Sequence, residues 1–388
     1  MSGTLRRQAT GYGFILPWLI ALCLFVGYPF FAGLYFSFCD FPPLKDPMFV
    51  GGANYTELVE DKVFHRSLGV TMIYAAVAIP LGVIFAMTLA MFLNTRIRGQ
   101  PFYRVIYYLP HLVPTVAVAV LWMWIFNGQF GLLNMAVKRL MKLSDAWAGR
   151  FFDLPAAAEG QSCIRLDAFY LLAVLLLLPW AVRALRKAPR LRRLLMVFAV
   201  LAAILTVVAV AHATLYRLLP EDMKKLREGP GWLSDGDPMP SRLNLAPSWA
   251  LWALIIMSMW GVGQMAVIYL AKLQDVPAEL YEAAEIDGAS WWGKIRHVTI
   301  PMISPVILFN VVMAIIGTFQ IFAEPYIMTG GGPEDKTRFV AVFIYDQAFK
   351  YHRLGYASAV AWVLFLLIVV LTLLTFHVSR KRVHYFAR

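Results

Sequence analysis

Long apolar runs, cut by short polar stretches, set the pattern of this chain. Eight segments contain no Asp, Glu, Lys or Arg: approximately 14–38, 68–93, 105–127, 168–182, 194–216, 249–271, 299–322 and 356–378. Most exceed the roughly 18 uncharged residues that a bilayer crossing needs. The fourth, AFYLLAVLLLLPWAV, is short and needs its flanks, with Arg183 snorkelling to the interface, to reach full thickness. The pattern predicts an all-α fold: a polytopic bundle of membrane helices, about eight spans in total.

Charge gives the orientation. With the N-terminus placed in the cytoplasm, the inside connectors are 1–13, 94–104, 183–193, 272–298 and the tail SRKRVHYFAR. They hold about half of the 35 Lys and Arg residues in roughly a third of the loop length, the positive-inside bias. Both termini are then cytoplasmic. The first apolar run is too long for the core of a signal peptide and lacks an A-x-A site, so it reads as an uncleaved span.

Composition agrees. The chain of 388 residues is 60% hydrophobic and 15% charged, with a mean hydropathy of +0.65, more apolar side chain than a soluble core of this length can use. The net charge of +12 does not indicate nucleic acid, because the basic residues flank the spans and form no stripe alternating with aromatics. Cys23, Cys39 and Cys163 form no CxxC pair and no His-linked cluster and read as ordinary thiols. No residue pattern predicts a metal site.

One connector departs from the basic rule. In AELYEAAEIDGAS, residues 278–290, Glu279, Glu282, Glu285 and Asp287 gather on the cytoplasmic side, where Asp275 is the one other acid. Asp275 as a capping acid, Pro277 in the first turn and Glu279 near the positive dipole end predict a helix start. Gly288 offers a C-cap and Ser290 a second N-cap. The expected unit is a helix–turn–helix on the membrane surface, either a plain solvated connector or an element inserted into a groove of a partner.

The order Glu282-Ala283-Ala284, three residues, Gly288, nine residues, Val298-Thr299-Ile300-Pro301 resembles the EAA motif of ABC importer permeases. TGGGPEDKT at 329–337, with Gly330, Gly331, Gly332 and Pro333, and GYASAVAWVLFLL at 355–367 resemble the outer loop and last span of carbohydrate permeases of the maltose and glycerol-3-phosphate type. The resemblance implies a coupling loop at 275–301, in which Glu282, Ala283, Ala284, Asp287, Gly288 and Pro301 dock the chain to a cytoplasmic motor. It implies two ATP-binding-cassette ATPase subunits carrying ATP and Mg, a second and different permease subunit, an extracytoplasmic solute-binding protein, and a bacterial inner membrane. This chain would itself bind no cofactor: it has no G-x-x-x-x-G-K-[ST] loop. The resemblance divides the chain into core spans at 1–137, an insertion at 138–230 with two further apolar segments where the family has a short outer loop, and the rest of the core at 231–388. A six-span core plus two inserted spans is expected.

Solute-path candidates lie on the later spans. Asn310, Gly317 and Glu324 are seven apart, with Thr318 and Gln320 near them, and form a small and polar helix face. Trp260, Gly261 and Gln264 place an aromatic platform beside an amide, suited to a sugar ring and its hydroxyls. The resemblance adds weight to Trp260, Gly261, Gln264 and Thr318, and puts Ala314 and Ile321 where a polar group is common. Each amide reads equally as interhelical glue, and each glycine as a packing position. His111, between Pro110 and Pro114, marks a helix break of the kind that lines cavities. No charged group lies deep in a span, which disfavours an ion-coupled carrier, and no convergent catalytic set favours a membrane enzyme. Basic residues do not gather near the path, which favours a neutral sugar or polyol over a phosphate ester.

Overall fold

The computed structural model describes residues 15–95, 99–128, 130–136, 232, 233, 248–380 and 383. The two apolar segments of the insertion, Cys163 and the terminal basic residues lie outside them.

The first long apolar run forms α1 (Ile15–Ser37), a helix with a π-helical stretch at Cys23–Gly27. A two-stranded antiparallel ribbon follows, β1 (Cys39–Asp40) against β2 (Met48–Phe49), with Cys39 opposite Phe49. After α2 (Ala53–Glu60) comes the longest helix, α3 (Lys62–Leu93). Its N-cap is Asp61, whose Oδ1 accepts from the amides of Val63 at 2.8 Å and Phe64 at 3.1 Å. The second carboxylate oxygen, Oδ2, accepts from the Tyr356 hydroxyl at 2.8 Å, tying α3 to the last helix.

Two of the predicted spans are broken. The stretch 105–127 becomes α4 (Gln100–Leu112) and α5 (Thr115–Ile125), bent by 98° at Val113 and Pro114. Proline bars its predecessor from helical geometry and supplies no amide, so the break falls there. The stretch 249–271 becomes α6 (Trp249–Trp260) and α7 (Gly263–Gln274), bent by 42°. Then come α8 (Ala278–Ile286), α9 (Trp291–Lys294), a π turn at Ile295–Thr299 and α10 (Ile300–Phe319). The chain closes with α11 (Ala323–Met328), α12 (Val340–Tyr345) and α13 (Leu354–Ser379). Among the described residues four helices are long and apolar enough to cross a membrane, or six if each bent pair is one span.

The chain divides into two compact units, 1–120 with 250–388, and 121–249. In the first, α3 is the central post. Near its C-terminus Ala86, Leu89, Ala90 and Leu93 pack with Ala266, Tyr269, Leu270 and Leu273 of α7 and Ile303 of α10. Near its N-terminus Phe64 and Ala75 pack with Phe319, with Val340 and Phe343 of α12, and with Tyr356, Val360 and Leu364 of α13. Small residues on α3 let the neighbouring helices approach, as membrane packing requires where lipid offers no hydrophobic gain. In contrast, α1 leans on α13 through Phe30 and Trp362, with ring centroids 4.7 Å apart, and leaves most of its apolar surface exposed.

In the second unit, Trp232 lies tilted against Phe126 and edge to face with Trp249. Trp232 meets Phe126 at 5.7 Å and Trp249 at 5.3 Å. Its indole Nε1 donates to Asn134 Oδ1 at 2.8 Å, a buried bond between residues 98 apart in sequence.

Candidate functional site: a docking loop and a cavity

The acidic connector folds as two short helices with a tight turn between them. Ala, Glu and Leu make AELYEAAEI a strong helix former. Gly288, at φ +75°, ends it: the Gly288 amide donates to the Glu285 carbonyl at 3.0 Å and the Ala289 amide to the Ala284 carbonyl at 2.8 Å. This is the paired closure that wants glycine in the left-handed position. Ser290 Oγ then accepts from the Gly293 amide at 3.2 Å and starts α9.

The helix start differs from the sequence expectation. Asp275 ends α7, its amide bonded to the Lys272 carbonyl and its carboxylate 3.6 Å from Lys272 Nζ. Pro277 itself is the residue before the first turn of α8, and no side chain caps that helix. Pro277, its φ of −57° fixed by the ring and its ψ at 135°, supplies the extended residue from which the helix starts.

No residue of α8 is buried. Glu282 and Ala283 are exposed, Ile286 is 87% exposed and Trp292 71%. Glu285 pairs with Lys294 across the turn, fixing the two helices against each other. The Tyr281 ring packs against the core around Leu270 and Ile303, and its hydroxyl lies 3.1 Å from Thr299 Oγ1. Pro301, which has no amide to donate, sits just after the π turn, so the helix passes from α9 into α10 without a gap.

The second feature is a cavity of about 400 Å³ opening between α3, α4, α6, α7 and α10. His111, Trp260, Gly261, Gln264 and Thr318 line it, as do Ala314 and Ile321. Gly317 and Gln320 line an adjoining cavity of about 500 Å³. The break between α6 and α7 explains why Trp260, Gly261 and Gln264 all reach the space: the helix turns where they stand.

The structure places Asn310 apart from both cavities. It is buried, 3% exposed, and lies against Tyr269 of α7 rather than in either cavity. Seven residues turn the helix face by only about 20°, so Asn310 differs from Gly317 in depth, lying about 10 Å nearer the start of α10. Asn310 therefore takes the interhelical place. Three polar cavity residues escaped the sequence reading: Tyr74, Thr115 and Ser258. Tyr74, Ala78 and Gly82 stand four apart on α3, a polar-tipped ring above two small residues, and that spacing was the available signal.

Residues 78–384 match the model of a protein family described as the binding-protein-dependent transport system inner membrane component. The chain belongs to this family. It is a transport component rather than an enzyme. The chain is 28% identical over 384 residues to the probable ABC transporter permease protein YesP of Bacillus subtilis, covering 98% of this chain and 93% of that one. It is 26% identical to the lactose transport system permease protein LacF of Rhizobium radiobacter, covering 97% and 95%. Among solved structures, a bacterial ABC transporter involved in the import of the acidic polysaccharide alginate shares the fold, with a TM-score of 0.65 at 18% identity over 98% of both chains.

In this permease the TGGGP motif forms a tight turn outside both cavities. Gly330 and Gly331 have φ of +59° and +89°, and Thr337 Oγ1 donates to the Gly332 carbonyl and lies 2.7 Å from Thr329 Oγ1. Arg338 pairs with Asp335 and Asp346. Partial burial works against its charge, but the bond and charge of Asp335 and the charge of Asp346 outweigh it and raise its pKa. The Lys336 ammonium, by hydrogen bond and charge, holds Glu334 below the usual carboxylate range. On the neighbouring loop the hydrogen bond from Arg353 to Glu57 raises the guanidinium above its ordinary value. The turn is thus a charge-laced surface fixed to the end of the bundle where α3 begins.

Proposed function

We propose that the permease moves a carbohydrate or related polyol, delivered by an extracytoplasmic solute-binding protein, through the cavity to the cytoplasm by alternating access. One observation carries this reading. The helices that wall the cavity, α7 with Gln264 and Met265 and α10 with Ala314 and Thr318, are the two that flank the docking loop. At 12 and 20 residues they span about 18 and 30 Å, so a push on α8 and α9 reaches the cavity through rigid rods. Tyr281, held to Thr299 and to the core, makes the loop part of that lever.

The exposed Glu282, Ala283, Ile286 and Trp292 suit a cleft of an ATPase subunit, two of which would hold ATP and Mg. A second, different permease would complete the membrane unit. Trp260 offers a face for a sugar ring, and Gln264, Thr318 and Ser258 offer partners for hydroxyls. The transport of lactose by LacF supports the solute class. The docking loop and both termini then face the cytoplasm.

The test is co-purification from native membranes of the wild type and of a Glu282→Lys, Gly288→Pro variant. Proline cannot take the φ of +75° at position 288. A P-loop ATPase should accompany the wild type and be lost from a variant that still inserts. Retention of the ATPase by that variant overturns the assignment.

A further inference from the structure

Six residues line both cavities: Tyr74, Thr115, Ser258, Thr318, Ile321 and Glu324. Five are neutral. Glu324 carries a carboxylate, and neither cavity is lined by any Lys or Arg. Among the described residues Glu324 enters no ion pair, and it is half-buried. Its carboxylate thus faces no Lys or Arg in either cavity and is partly shielded from bulk water, where a cleft focuses its field.

Such a group acts on whatever passes. Its two oxygens accept hydrogen bonds from adjacent hydroxyls of a sugar and pair with an ammonium. It repels a carboxylate or phosphate with a strength that grows as water is excluded. Tyr74, Ser258 and Thr318, grouped around the same space, supply hydroxyls but no positive charge to offset it.

We propose that Glu324 sets the charge class of the solute: the path accepts neutral polyhydroxy or amino-bearing sugars and rejects uronates and sugar phosphates. This rests on the cavity being the solute path.

The test uses the intact importer in membrane vesicles, with Cys23, Cys39 and Cys163 replaced by Ser and a single reporter, Thr318→Cys. Reaction with a cationic trimethylammonium thiosulfonate and an anionic sulfonate thiosulfonate is compared with their rates on a free thiol in solution. The cation-to-anion rate ratio should exceed the solution ratio by on the order of tenfold. It should fall to near the solution value in Glu324→Gln and persist in Glu324→Asp. An unchanged ratio in Glu324→Gln overturns the role of Glu324 while leaving the path in place. A reporter that reacts with neither reagent in any nucleotide state overturns the path, and the proposal with it. Ser258→Cys serves as a second reporter should the first fail to assemble. Equal ATP-driven uptake of a uronate disaccharide and a neutral disaccharide by the wild type also overturns the proposal.

Discussion

Gly263→Ala adds a methyl group at the start of α7, one residue from the cavity-lining Val262 and Gln264. A Cβ built at Gly263 lies 1.9 Å from the Tyr107 carbonyl oxygen, 2.9 Å from its carbon and 3.3 Å from the Tyr108 Cα, all backbone atoms. Contacts under 3.0 Å are essentially never made by a real Cβ, so α4 and α7 have to part by about 1.1 Å at that point. No side chain can rotate to relieve the clash. Overpacking of this kind costs about 1–3 kcal/mol. The displaced helix carries Pro110 and His111, which line the cavity, so stability and transport should fall together. The assay is thermal unfolding of the solubilised importer together with ATP-driven uptake, with Gly261→Ala and Gly317→Ala as controls. At Gly261 the nearest atom is 3.6 Å away and at Gly317 nothing lies within 4 Å, so both should stay within about 0.5 kcal/mol of wild type. Gly263→Ala should lower Tm by roughly 1–4 °C. Wild-type stability and uptake in Gly263→Ala would refute the close approach of α4 and α7.

Two further substitutions test other joints. Gly355→Ala places a Cβ 1.9 Å from the Cys39 carbonyl oxygen and should destabilise the seam between α13 and β1 by about 1–3 kcal/mol, read as a lower Tm with unchanged ATPase binding. Tyr281→Phe removes the hydroxyl 3.1 Å from Thr299 Oγ1 and should cost about 0.5–1.5 kcal/mol. The expected readout is looser coupling, with more ATP hydrolysed per solute carried and the ATPase still bound; unchanged stoichiometry would count against the lever.

The apolar pattern carried α1, α3, α10 and α13 into view because a bilayer crossing leaves an uninterrupted mark. The helix breaks were half visible. Pro110 and Pro114 announced the bend after α4, whereas nothing in TrpGlyValGly at 260–263 distinguishes a turn from a continuous span. The glycines show the same limit. Gly261 and Gly317 had packing as an alternative reading, yet the backbone approach is at Gly263, because which glycine meets a neighbour depends on helix rotation that spacing alone does not specify. Asn310 and Glu324 shared one seven-residue register with Gly317, and only the second reached the cavity. The local fold of the acidic connector was read more fully, since Gly288 and Ser290 act on residues within five positions of themselves. Asp275 was assigned to the wrong helix for the same local reason: an acid between two helices can end one or begin the next.

The bond between Asn134 and Trp232 has a bearing on how such a chain can change over generations. A segment that departs and returns through one pinned pair is, for the helices on either side, a loop with fixed ends. The entropy of closing such a loop rises only with the logarithm of its length, about 0.6 kcal/mol per doubling. Sequence can therefore be gained or lost between these two side chains without shifting the register of the spans that wall the cavity. By this arithmetic a change of length between the pinned pair costs the chain less than one made inside a packed helix.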